Sequence, residues 1–254
     1  MNVVVCVKQI PDPASPGELL SPSHRLRRAD VDAVLDPGDE YGVEMALRIA
    51  EEHGGEVIVV SMGPERAQEA IRKALSMGAH RGVLVSDPLL EGADALTTAT
   101  ILARVVAHVG SVDLVVTATE STDGYTGVIP QAIAEHWGVP ALTFAKTVTC
   151  DGSSATIHRQ TEDGFDVVTA SLPCVVSVTA GATEPRYPSL KGIMGAKSKP
   201  VERLTAADLG VDVAVREEVV SVTAAAEKAS GVRIEDDGTA AARIIEFLAD
   251  KKVI

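Results

Sequence analysis

Aromatic side chains make up only 3% of this sequence, with a single tryptophan among 254 residues. Its core must therefore be built from Val, Ala, Leu and Ile, which the 46% hydrophobic content permits and which suits parallel strands covered by alanine-rich helices. Acidic residues outnumber basic ones 36 to 23, giving a formal charge of −13, and no basic stripe interleaves with aromatics. That balance argues against nucleic-acid binding and against adhesion to an anionic membrane. The G-x-x-G of Gly192 to Gly195, which matches a KH loop, weighs little beside it. Cys6, Cys150 and Cys174 lie far apart, without C-x-x-C or Cys/His ligand spacing. Neither a disulfide framework nor a zinc site is indicated, and small buried hydrophobes are expected. No eighteen apolar residues run together, and MNVVVCVKQIPD has an apolar run too short for a signal peptide and no basic leader. The expectation is a soluble cytoplasmic protein without membrane insertion. The G-x-S-x-G, H-E-x-x-H, Walker A and G-x-G-x-x-G signatures are all missing, and the six histidines are dispersed. A binding or carrier role is expected rather than catalysis.

What is present centres on Val112 to Pro140. The β-branched run Leu114, Val115, Val116 fits a strand buried on both faces. It gives way to a run of hydroxyls and acids closed by Gly124, and then to Val128, Ile129, Ala132, Ile133, His136 and Trp137 at helical spacing. Strand, glycine-bearing turn and helix aim backbone N–H groups at a ligand beyond the strand's carboxyl end. An ordinary turn, with Asp123 or Thr126 capping the helix, satisfies the same pattern.

Earlier in the chain, strands are expected at Val3 to Val7, Val57 to Met62 and Gly82 to Ser86. Pro11 and Pro13 should end the first. Residues 14 to 37 form an extended excursion with one short strand near Arg28 to Val34. Helices follow from Asp39 to Gly54, Glu65 to Met77 and Ala93 to His108. Alternating strands and helices specify an α/β fold, a mostly parallel, doubly wound, Rossmann-like sheet of the adenine-nucleotide-binding kind. Three alternating strands, Thr143 to Thr149, Ala155 to Arg159 and Asp166 to Ser171, are joined by Asp-Gly turns and imply antiparallel hairpins. Cys174 to Val178 returns to a buried strand, and a loop runs from Thr183 to Pro200. Residues 1–200 then form one α/β domain. Residues 201–254 form a C-terminal arm, with a short capped helix at Thr205 to Leu209, a strand at Val219 to Val222 and a helix from Thr239 to Asp250. The arm has too little apolar content for its own core and should pack on something else.

Three segments carry a resemblance: VVVCVKQIPD, VVSMGPERAQEAIRKALSMGAHRGVLV and TEPRYPSLKGIMGAKSKPVERL. Together they resemble the β subunit of electron transfer flavoprotein, called FixA in some bacteria, over essentially the whole chain. The resemblance implies a heterodimer with an α subunit that holds most of the FAD. It further implies electron flow from flavin-dependent dehydrogenases to a quinone-linked oxidoreductase or another acceptor, and an arm packed on the partner subunit. It also implies a structural AMP. By position, that site would comprise Cys6, Asp36, Pro37, Gly38, Asp39 and Met62, with the turn Ala118, Glu120, Ser121, Thr122, Asp123, Gly124, Tyr125, Thr126, Gly127, Val128 and Ile129. The backbone N–H groups of Gly124 to Gly127 would face the phosphate, and Asp123 would cap the helix or accept from ribose. Arg186, Tyr187, Leu190, Ile193 and Met194 would meet the dehydrogenase, with Leu190 as anchor. The chain departs from the family at the turn, where Ala118 to Tyr125 replaces G-K-Q-x-x-D-x-D and Val128 stands for an amide. Departures recur at Thr183, Lys191-Gly192, Gly195 and Ser198. The competing readings are a free-standing adenine-nucleotide-binding protein of universal-stress type and an adenylating or hydrolytic enzyme. The apolar loop disfavours the first, and the missing catalytic motifs disfavour the second.

Overall fold

The computed structural model describes residues 1–15, 17–213, 217–223, 225–226 and 231–254. They divide into a unit from Met1 to Val219 and a second from Val220 to Ile254.

In the first unit, five short runs rich in Val, Leu and Ile form strands that are almost wholly buried: β1 (Val3–Cys6), β4 (Val57–Met62), β5 (Arg81–Val85), β6 (Leu114–Ala118) and β10 (Cys174–Val178). Alternation along each strand sends side chains to both faces, and each face has its own core. Val3, Val5, Val57, Val59, Leu114 and Val116 pack with α1 (Pro37–His53) and α2 (Gln68–Met77). Val4, Ile58, Val60, Val115 and Val175 pack with α3 (Ala95–Val109) and α4 (Ile129–Trp137). With β7 (Ala141–Cys150), β8 (Ser154–Gln160), β9 (Phe165–Ser171) and β11 (Val201–Leu204), the sheet order is β11-β5-β4-β1-β6-β10-β7-β8-β9. Pairing is parallel from β11 to β7 and antiparallel across β7, β8 and β9. The chain winds outward from β1 through β4 to β5, then returns to place β6 on the other side of β1. That reversal opens a crevice at the carboxyl ends of β1 and β6, where such sheets bind ligands.

Several expectations need correction. The chain resumes pairing straight after β1: β2 (Gln9–Pro11) and β3 (Ala33–Leu35) make a small antiparallel ribbon. Pro11 is tolerated because it closes a two-stranded ribbon, where its missing N–H costs little. The loop from Thr183 to Pro200 contains a helix, α5 (Leu190–Ala196), capped by the Ser189 side chain accepting from the Gly192 N–H at 3.0 Å. Residues 201–204, expected in the arm, pair with β5 as β11, so the sheet extends past residue 200. Thr205 to Leu209 is a turn rather than a helix, although Asp208 does accept from the Thr205 N–H at 2.8 Å. Val219 to Val222 is not a strand.

Among its described residues the second unit has one regular element, α6 (Ala240–Asp250), none of whose residues is buried. Ile244, Ile245 and Phe247 are 46%, 59% and 41% exposed. Among the described residues no helix is long and apolar enough to cross a membrane.

Candidate functional site

Three elements converge on the crevice. After β1 the chain is stitched to the start of α1: the Lys8 N–H donates to Asp39 Oδ2 at 2.7 Å, and the Lys8 carbonyl accepts from the Asp36 N–H at 3.0 Å. Asp36 is the N-cap of α1, followed by proline at the first helical position, and it accepts from the Gly38 N–H at 2.9 Å. The same carboxylate reaches across the crevice to the turn after β6. It accepts from the Thr122 N–H at 2.7 Å and from the Thr122 hydroxyl at 3.2 Å. Asp36 is fully buried, so its hydrogen bonds replace water completely.

The turn itself is drawn together by the Gly124 and Tyr125 N–H groups, which both donate to the Ser121 carbonyl. Gly127 takes φ +65°, a left-handed conformation natural to glycine. Asp123 does not cap α4. The N-cap position is Val128, without a side-chain bond, so Thr126 does not cap it either. Asp123 is instead held between two cations, Lys8 Nζ at 2.6 Å and Arg28 Nε at 2.8 Å, with its side chain 5% exposed. Lys8 also donates to Ser121 Oγ at 3.2 Å. Nothing in sequence pattern links these groups, which lie 115 and 95 residues apart.

Electrostatics follow from this wiring. Burial works to raise the Asp123 carboxyl, but the charges and hydrogen bonds of Lys8 and Arg28 outweigh it and hold it below the usual range. Asp39 goes the other way: burial, then the neighbouring Asp36 charge, pushes it well above the ordinary carboxylate value. Cys6, at the end of β1, is pushed up to about 12 by burial and then by Asp39, which leaves it a neutral thiol. The crevice thus gathers Cys6, Asp36 to Asp39 and the turn from Ala118 to Ile129, with Met62 at the same carboxyl edge. It adds Lys8 and Arg28. Tyr125 and Val128 stand 67% and 43% exposed.

For a nucleotide, the relevant observation is that two cations from separate segments converge on one anionic group at the carboxyl end of the sheet. The first N–H groups of α4, which have no intrahelical acceptor, add a partial positive charge there. Those features fit a phosphate, and the carboxylates of Asp36 and Asp123 already have donors of their own. Glu120 is the exception: among the described residues its carboxylate has no hydrogen-bond or ion-pair partner, and it lies beside Gly127, 3.4 Å from where a Cβ there would sit.

The second cluster of expected residues lies on the loop that contains α5. Tyr187, Leu190, Met194 and Ile193 are 95%, 75%, 69% and 49% exposed. Arg186 is not with them. Its guanidinium is turned onto α1, with Nε 2.7 Å from Glu44 Oε2 and Nη1 2.5 Å from Glu51 Oε1. Burial works to raise the Glu44 carboxyl, but hydrogen bonds from Arg186 and Arg48 hold it below the usual range. Glu44 and Glu51 were not distinguishable in the sequence from the other acids of an acidic protein.

Comparison with known proteins accords with this geometry. Residues 24–209 match the electron transfer flavoprotein domain family. The electron transfer flavoprotein subunit beta of Mycobacterium leprae (strain TN) is 42% identical over 264 aligned positions, covering 100% of this chain and 99% of the relative. Subunit CarD of the caffeyl-CoA reductase-Etf complex of Acetobacterium woodii is 35% identical over 212 positions, 83% of this chain and 80% of the relative. Protein FixA of Rhizobium meliloti (strain 1021) is 36% identical over 218 positions, 83% and 74% respectively. This chain belongs to the electron transfer flavoprotein family as one of its β subunits, and its role is electron transfer.

Proposed function

We propose that this chain pairs with an electron transfer flavoprotein α subunit that supplies most of the FAD site, and that the arm beyond the sheet packs on that subunit. The heterodimer takes electrons from a flavin-dependent dehydrogenase and passes them to a quinone-linked oxidoreductase or another acceptor. The relative named for a caffeyl-CoA reductase complex favours a dehydrogenase acting on CoA esters. FAD, when bound, supplies the redox chemistry. This chain's own residues bind and orient: Leu190, Tyr187 and Met194 meet the dehydrogenase, and the crevice holds an adenylate. Lys8, Arg28 and the first turn of α4 would hold its phosphate, and Asp36 to Asp39 would line its sugar.

The observation that carries the docking role is Leu190 at 75% exposure beside Tyr187 and Met194. A buried leucine is worth roughly 1.5 to 3 kcal/mol, or roughly 10- to 100-fold in affinity. Leu190→Ala in the heterodimer should therefore weaken docking by that factor when flavin reduction is followed against concentration of a substrate-reduced, CoA-ester-specific dehydrogenase. The flavin spectrum should not change. Unaltered reduction kinetics in Leu190→Ala would rule out this surface as the docking site.

A further inference from the structure

We propose that Arg186 is a positioning residue that presets the α5 loop for docking, acting through Leu190 rather than by touching the dehydrogenase; this rests on the docking reading above. Arginine has five N–H donors in a fixed fork. Four are committed within the chain: Nε at 2.7 Å and Nη2 at 3.2 Å to the two oxygens of Glu44, and Nη1 at 2.5 Å and Nη2 at 3.0 Å to the two oxygens of Glu51. The Arg186 backbone N–H adds a fifth bond, to Glu44 at 3.2 Å. A guanidinium so occupied has little left to offer a partner. Glu44 is buried, and it is itself gripped by Arg48 at 2.7 Å, whose Nη2 also donates to the Glu184 carbonyl at 3.2 Å. The entry to the loop is therefore bolted to the body of α1.

The exit is fastened just as firmly, to α2. Lys199 Nζ donates to the carbonyls of Leu75 and Ala79 at 2.9 and 2.5 Å, at a helix end whose last carbonyls lack intrahelical donors. Arg72 Nη1 donates to the carbonyls of Ala196 and Lys199 at 2.6 and 2.7 Å. Between these anchors α5 is pressed onto α2 so closely that a Cβ on Gly192 would collide with the Ser76 carbonyl oxygen. Leu190, Ile193 and Met194, at helical spacings of three and four, share one face of α5. A loop held at both ends loses little conformational freedom on docking, and that saving strengthens binding without any new contact.

The test is a double-mutant cycle in the intact heterodimer, with a substrate-reduced, CoA-ester-specific flavin dehydrogenase as probe. Arg186→Gln should raise the KM for dehydrogenase roughly tenfold, about 1.4 kcal/mol and within the usual range for coupled sites. The flavin spectrum and limiting rate should be unchanged. Arg186→Lys should recover part of the loss. In the Leu190→Ala background the same Arg186→Gln change should alter KM less than about twofold, because the two residues act as one unit. Additive effects would overturn the proposal by showing that Arg186 acts independently of Leu190. So would a wild-type KM in Arg186→Gln where Leu190→Ala is impaired. An unimpaired Leu190→Ala removes the docking reading itself, and the clamp's purpose with it. Should Arg186→Gln fail to fold, Glu51→Gln removes one exposed half of the clamp, and it should show a smaller rise in KM with the same non-additivity.

Discussion

The turn from Thr119 to Val128 and the loop from Glu184 to Lys199 are both fastened to α1, yet they use their side chains in opposite senses. In the turn, polar groups face inward and are satisfied there: Asp36 bonds Thr122, and Asp123 lies between Lys8 and Arg28. In the loop, charges also face inward, through Arg186 and Lys199, but large apolar side chains face water. An ordinary surface loop would show the reverse, with charge outside and leucine inside. Two kinds of surface are thereby distinguished. The turn is built as part of the fold, and its stability should register any change. The loop leaves an apolar face in solvent while both of its ends stay fastened, as the docking surface proposed above would require.

The largest effect expected from this distinction is at Asp36. Its carboxylate accepts from Gly38, from the Thr122 N–H and from the Thr122 hydroxyl in a site without water access. Asp36→Ala removes a helix cap and strands buried donors, which should cost roughly 2 to 4 kcal/mol. Urea unfolding of the purified chain measures it directly. A loss below about 0.5 kcal/mol, the level of an unremarkable surface change, would erase the contrast between turn and loop.

A smaller loss is expected at Asp123. Lys8 and Arg28 are 37% and 44% exposed, so once released they can turn to water rather than remain as buried charges. Asp123→Ala should cost roughly 1 to 2 kcal/mol at neutral pH, the range for hydrogen bonds to charged groups after discounting for exposure. Because the folded carboxyl lies below its ordinary value, this contribution is present at neutral pH and disappears as pH falls through the folded value. Wild type and variant should converge in acid. A constant difference across the acid range would show that Asp123 contributes by packing and not by charge.

Legibility in the sequence divides along the same physical line. Strands buried on both faces were readable almost to the residue: β4 and β10 are where VIVVSM and CVVSV place them, because burial leaves a continuous apolar run between turn signals. The meander was readable from its Asp-Gly turns, and Gly152 indeed takes φ +88° there. Helix α5 was not, because Gly192 and Gly195 depress helix propensity and only the Ser189 cap and the contact with α2 restore it. The turn between β6 and α4 was legible as a polar, glycine-bearing connection, but not its wiring. Lys8 and Arg28 meet Asp123 only through the fold, and an arginine in the signature segment looks the same whether it faces a partner or Glu44.

An effect of opposite sign belongs to Asp39. Its carboxyl is raised by burial and by the Asp36 charge, while the Lys8 N–H and ammonium offset part of that cost. From the unfolded value near pH 4 up to the raised folded value, the folded chain binds more protons than the unfolded chain. Stability therefore falls as pH rises through that window. Asp39→Asn keeps an acceptor for the Lys8 N–H and removes the charge, so it should escape the decline. Its urea midpoint should match wild type below about pH 4, rise above it as pH increases, and level off once Asp39 of the wild type is ionised. The sign is diagnostic of how the crevice is built. A carboxylate stabilised by its surroundings, like Asp123, would make the asparagine variant less stable at neutral pH. A destabilised Asp39→Asn would mean that Asp39 is held as an anion by Lys8, and that the first turn of α1 carries a full negative charge into the crevice.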